Sequence, residues 1–288
     1  MLRFALLLVL GFIPALTQAQ VTFDKIKGRG QILIGYRDDS APFSYVDAKK
    51  QPIGYSLEFC NAIAAKVLAQ PGMAKLKVAY KEVPVDRMTT YVGEGSVDLF
   101  CSGTSDTAER RNQMSFSRPI YFGGLGMMVR KKDGVTSLDQ LKGKKVVLLK
   151  GTTAAGTIND YLKKSGGAWK LEEAVGGDAA LSQLQLGWVA GYSRDKVLLA
   201  VQRAGMSTPD DYVILPDQLS NEAIAIAYRR DDAAMKAAVD GVVGEAAASG
   251  KAQEWYDKWF AKPIPLGSVN KSLDIPMSSE LKASFSKK

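Results

Sequence analysis

No histidine occurs anywhere in the 288 residues. Histidine is the commonest general base near neutral pH, the usual activator of serine and cysteine nucleophiles, and the commonest transition-metal ligand. Its absence therefore removes the Ser-His and Cys-His nucleophile pairs and argues against a metal centre. Cysteine is almost as scarce: Cys60 and Cys101 are the only two, and they are not spaced as a metal knuckle. In an oxidising compartment they can pair, while their apolar positions also suit buried thiols, so both states stay open. Low-complexity tracts, clear internal repeats, and the phosphate-loop and dinucleotide fingerprints are missing as well. No cofactor and no metal is expected.

What is present is ordinary in bulk, with 46% apolar and 24% charged residues, enough to bury a sizeable core. The net charge of +8 is spread along the chain, so it reads as solvated surface and predicts no nucleic-acid partner. The N-terminus stands out. Met1, Leu2 and Arg3 precede an apolar run over residues 4–13, and Thr17-Gln18-Ala19 closes it with small residues. This predicts a secretory signal peptide over residues 1–19, too short to span a bilayer. No later stretch is long and apolar enough to span one. The mature protein is expected to be exported, periplasmic and soluble.

The chain is organised around residues 97–121. A short apolar strand over residues 97–101 is followed by Ser102, Gly103, Thr104 and Ser105, then by Asp106 with Glu109 three positions on. Asp-x-x-Glu after a turn is a helix-start signature, and it places Arg110 in the first helical turn. Backbone N–H groups, hydroxyls and a fixed positive charge gather here, as a carboxylate receptor requires. A capped surface helix with a solvated Arg110 accounts for the same residues.

Upstream, residues 31–36 predict a buried strand, Ser56 a cap, and residues 57–69 a helix with Leu57, Cys60, Ala64, Val67 and Leu68 on one face. Residues 76–80 predict a strand and residues 84–94 a helix carrying Arg87. Strand–helix alternation with short links makes a parallel sheet, whose ligands sit at the carboxyl ends of its strands. Arg37 and residues 102–105 fall on that edge.

A second unit follows residues 123–126. Ser137 to Gln140 make a capping box, residues 145–149 a strand, and Gly151-Thr152-Thr153 open a helix as either a ligand loop or an ordinary cap. Gly176-Gly177-Asp178 start another helix. Residues 189–192 form a strand that ends before Asp195, which either caps the next helix or meets an ammonium group. Strands over 211–215 and 222–228, an Ala-rich helix over 231–249 and a Trp/Tyr packing face over 252–260 complete the chain.

On these residues the chain resembles the periplasmic solute-binding proteins of polar amino-acid ABC transporters, closest to the glutamate/aspartate-binding branch. GYRDDSAPFSYVDAKKQPIGYS is similar to that family's first-strand crossing, and FCSGTSDTAERRNQMSFSRPIY to its central signature. LKGKKVVLLKGTT, YSRDKVLLA and the tail from EWYDKWF onward follow in the family's order. The resemblance implies an α/β, type II two-lobed fold with two parallel-sheet lobes joined by two hinge strands. Lobe 1 would comprise residues 20–122 with 223–288, and lobe 2 residues 123–222. It implies a monomeric receptor that closes on an amino acid and delivers it to a membrane permease.

Carried over by position, the ligand's α-carboxylate meets Arg110, helped by Ser105 and by Thr152 or Thr153, its α-ammonium meets Asp195, and Gly103 is a further ligand-binding position. Arg37 and Arg87 match the two arginines that face an acidic side chain. Departures from the branch cluster at that side-chain end: Gly176 replaces a histidine, Pro84 a serine, Ser102-Gly103 a Gly-Ser, and Phe100 an acidic residue. The competing reading is an enzyme on the same fold, a dehydratase of cyclic acids, with Asp178 and Glu58 as loosely placed acid–base candidates. A sensor domain would need a membrane span and a signalling module.

Overall fold

The computed structural model describes residues 21–267 and 269–286, so the leader expected at residues 1–19 lies outside the described residues. Among the described residues no helix is long and apolar enough to cross a membrane. The chain folds into two α/β lobes built on one plan.

In the first lobe the strand order is Lys77–Glu82, Gln31–Tyr36, Leu99–Phe100, Ala227–Arg229, Met114–Phe116. The first three are parallel, and Ala227–Arg229 runs against both of its neighbours. Ile32 and Ile34 are buried in the central strand, as an apolar run in a covered parallel sheet should be. Helix Tyr55–Leu68 lays Leu57, Cys60, Ala64 and Val67 into the same core. Its cap is Gly54 rather than Ser56, whose hydroxyl instead donates to the Ser102 carbonyl at 3.0 Å.

The second lobe orders its strands Lys170–Ala174, Lys145–Leu149, Gly191–Asp195, Leu125–Arg130, Tyr212–Ile214. Again three are parallel and the fourth is antiparallel to both neighbours. In each sheet that antiparallel strand is the one that has just arrived from the other lobe. The crossings themselves, Tyr121–Gly123 and Glu222–Ile224, pair antiparallel as a two-stranded ribbon. This splits the single strand expected over residues 222–228, because its first half pairs with the ribbon and its second half enters the first sheet.

Two other expectations change. The helix expected over residues 84–94 is a 3-10 turn, Val85–Arg87, followed by helix Met88–Gly93. The strand expected over residues 97–101 contracts to Leu99–Phe100, where the buried Asp98 carboxylate takes over the Leu33 N–H at 2.7 Å and pairs with Arg29. The cysteine question is settled: Cys60 and Cys101 form a disulfide, with Cα atoms 6.4 Å apart. It ties the first long helix to the segment that leads into the ligand edge.

The C-terminal part packs on the first lobe, with Tyr256, Trp259 and Phe260 buried and Trp255 set against Phe59 at 4.8 Å. The aromatic face is packing, as expected. Asp232 caps the Ala-rich helix Ala233–Ala248 by accepting from the Met235 N–H at 2.9 Å.

Candidate functional site

The carboxyl edges of the two sheets face each other, and Arg110 stands between them. Thr107, not Asp106, caps its short helix Ala108–Arg111, accepting from the Arg110 N–H at 3.2 Å. Asp106 is turned to Arg111 at 2.6 Å, so the helix-start signature was misplaced by one residue. The half-buried Arg110 guanidinium donates to the Ser105 carbonyl at 2.9 Å and, across the lobes, to the Gly151 carbonyl at 3.2 Å. Burial lowers its pKa, opposed by the charges of Glu222, Asp195 and Glu109.

Asp195 lies at the boundary of helix Lys196–Ala204 but makes no side-chain bond to that helix, which rules out the capping role. Burial, and then the charge of Glu222, push its carboxyl up to about 6 against the pull of Arg194 and Arg37. Burial and the Asp195 charge also raise the Tyr121 phenol. Glu222 was not singled out from the sequence. It sits on the crossing ribbon, accepts from Thr153 Oγ1 at 2.9 Å and from Ser220 Oγ at 2.6 Å, and acts on both Arg110 and Asp195. Nothing in the local sequence marks it, since a glutamate at the head of an apolar strand is common at a surface.

The remaining α-group candidates divide. Ser105 is buried and bridges Ile224 of the ribbon, so it sits at the junction. Thr153 is turned to Glu222, while Thr152 closes its own turn on the Leu149 carbonyl at 2.7 Å. Gly103 is a packing position, since a Cβ there would lie 2.9 Å from the Phe43 ring. Gly151 is held by the approach of the lobes. Its φ is +78°, and a Cβ would come within 2.5 Å of the Asp86 backbone in the opposite lobe. Gly151→Val should therefore strain its own turn and hinder closure, lowering Tm and weakening ligand binding by about tenfold in calorimetry.

Of the two arginines expected to face a ligand side chain, Arg37 is buried and already paired with Asp39, at 2.8 Å to Oδ1 and 2.9 Å to Oδ2. Arg194, its side chain only 2% exposed, approaches the same carboxylate at 3.4 Å and donates to the Asp39 carbonyl at 3.0 Å. The Gly177 N–H at the start of helix Gly177–Leu186 completes the cluster at 2.9 Å. Arg87 is exposed at the end of its 3-10 turn, whose Val85 and Asp86 line the cavity beside this cluster while Arg87 itself does not. Beside the cluster lies a cavity of about 170 Å³ lined by Arg37, Asp38, Asp39, Glu82, Pro84, Asp86, Lys150 and Gly176, among others. Burial, then Asp39, raises the Asp38 carboxyl, while Asp38, then burial, raises Glu82. Of the acid–base candidates, Glu58 is held structurally by Lys258 and by Trp259 Nε1 at 3.0 Å.

Comparisons with known proteins agree with this architecture. The sequence profile of the bacterial extracellular solute-binding proteins, family 3, matches residues 32–262. The chain is 35% identical to the L-glutamate/L-aspartate-binding protein of Pseudomonas aeruginosa, over 91% of this chain and 86% of that one. It is 30% identical to the glutamate/aspartate import solute-binding protein of Salmonella typhimurium, over 97% and 94% respectively. Among solved structures, the solute receptor for L-cysteine of Neisseria gonorrhoeae superposes with a TM-score of 0.71 at 26% identity, covering 82% of this chain and 92% of that one.

Proposed function

The chain belongs to the bacterial extracellular solute-binding proteins of family 3, and from that premise we propose that it captures a free L-amino acid between its lobes and delivers it to an ABC importer permease. One observation carries the reading. A guanidinium, Arg110, and two carboxylates, Asp195 and Glu222, act on one another across the lobe junction, yet no ion pair joins them among the described residues. Such a gap is matched by a zwitterion, whose carboxylate turns to Arg110 and Ser105 and whose ammonium turns to Asp195 and Glu222. Each charge then meets an opposite hydrogen-bonding partner among half-buried groups at the lobe junction. The lobe boundaries in this reading are residues 20–122 with 223–288 for the first lobe and 123–222 for the second, meeting at the ribbon. Closure is a hinge motion about that ribbon, and the permease reads the closed form.

The acidic ligand expected from the sequence is supported by the names of the Pseudomonas aeruginosa and Salmonella typhimurium relatives. The pairing of Arg37 with Asp39 stands against it. The receptor would work as a monomer in the periplasm, without catalysis.

Thermal shift against the twenty amino acids tests the reading. A ligand of the folded state stabilises it by RT ln(1 + [L]/Kd), about 2.7 kcal/mol at a hundredfold excess over Kd, and so raises Tm. Silence from all twenty would reject the amino-acid reading. A pH series adds a check on Asp195. Its ammonium partner needs the ionised carboxylate, which is lost as pH falls through about 6. Affinity should hold from pH 8 to 7 and fall roughly tenfold by pH 5, and Asp195→Asn should flatten that dependence.

A further inference from the structure

We propose that Asp39 is a built-in side-chain carboxylate that satisfies the arginines of the specificity end, so that this receptor rejects acidic amino acids and selects ligands whose side chains donate hydrogen bonds. The inference rests on the amino-acid reading above and deepens it. Asp39 receives the Arg37 guanidinium at 2.8 and 2.9 Å, the Gly177 N–H at 2.9 Å, and Arg194 at 3.4 Å. Two guanidiniums and a helix-start N–H converging on one carboxylate are what a bound aspartate or glutamate side chain would need. Here the protein supplies that carboxylate itself. Burial opposes its charge, but Arg194, Arg37 and the Gly177 N–H together hold it below the usual carboxylate range.

The surroundings confirm the sign. The lining of the adjacent cavity includes four carboxylates, Asp38, Asp39, Glu82 and Asp86, against two cations, Arg37 and Lys150. Four against two leaves the lining two charges negative, and adding the buried Arg194 behind it still leaves an excess of one. A ligand carboxylate entering this space meets paired arginines and like charge, whereas an amide or a cation meets free acceptors. Gly176 leaves this end open, since nothing lies within 4 Å of where its Cβ would be. Asp39 also joins the lobes. Arg37 lies on its own lobe, while Arg194 and Gly177 belong to the other, so the same carboxylate that sets selectivity is made whole only on closure.

Calorimetry of the mature protein with L-glutamate, L-glutamine and L-arginine tests the proposal. Glutamine or arginine should bind at least tenfold more tightly than glutamate, and the two arms distinguish an amide ligand from a cationic one. Asp39→Asn keeps the shape, frees both guanidiniums, and should raise glutamate affinity at least tenfold relative to glutamine while weakening arginine. Glutamate binding the unaltered protein more tightly than both others would overturn the proposal, as would an unchanged glutamate-to-glutamine ratio in Asp39→Asn. The ranking in the unaltered protein needs no variant, so it decides the matter even if the variant misfolds. Silence from every amino acid would instead reject the receptor reading on which this one stands.

Discussion

Arg110→Gln should weaken binding of the cognate amino acid by two to three orders of magnitude, the largest effect expected of any single substitution in the cleft. Arg110 is the cation at the junction whose bonds run to both lobes, through the carbonyls of Ser105 and Gly151. Its loss removes a charge-assisted partner of the ligand, worth about 1.5–3 kcal/mol. It also leaves Asp195 and Glu222 facing a ligand carboxylate with nothing to balance them, and breaking a buried charge pair costs about 3–5 kcal/mol. At 1.4 kcal/mol per decade the lower part of that range already exceeds a hundredfold. Lysine should recover only part of the loss, because a point charge cannot make the planar two-sided fork. Calorimetry on both variants, with circular dichroism to verify folding, checks the expectation. An Arg110→Gln protein that binds within threefold of the parent would show that the zwitterion sits elsewhere.

The second large effect is on stability. Replacing Cys60 and Cys101 together by alanine should cost about 4 kcal/mol, the loop-entropy value for a bridge across tens of residues. The separation here is 41 residues. In a chain of this size that corresponds to a fall in Tm on the order of 10 °C. The same bridge anchors helix Tyr55–Leu68 to the strand end that runs into Ser102–Ser105. The double variant should therefore also bind more weakly near its lowered Tm than it does well below it. Melting the parent with and without reductant, beside the double-alanine variant, measures the effect. A reductant-insensitive Tm would mean that the bridge contributes nothing to the native fold.

Arg110 and Asp195 were singled out from the sequence because each lies near a point where an apolar strand gives way to a helix. Such boundaries fall on the ligand edge of a parallel sheet whatever the long-range packing. Glu222 was not legible. A glutamate at the head of an apolar strand has no local signature of a site, and its role appears only when the ribbon brings it beside Thr153. Arg37 was legible as a residue at the strand end but not as a paired one. Its partner lies two positions along the chain, and Arg194, which shares that partner, lies 155 positions beyond it.

The two-lobed arrangement was implied by the resemblance to a family, whereas the residues alone predicted the strand–helix alternation, the parallel sheet and the charged positions at its edge. These depend on periodicity, capping and turn residues, which act over a few positions. Long-range packing chose the state of the cysteines, the split of residues 222–228 between ribbon and sheet, and the capture of Arg37 and Arg194 by Asp39. Each of these is a choice among partners that are chemically equivalent along the chain. Burial and long-range packing select one of them, and a local pattern holds no record of that selection.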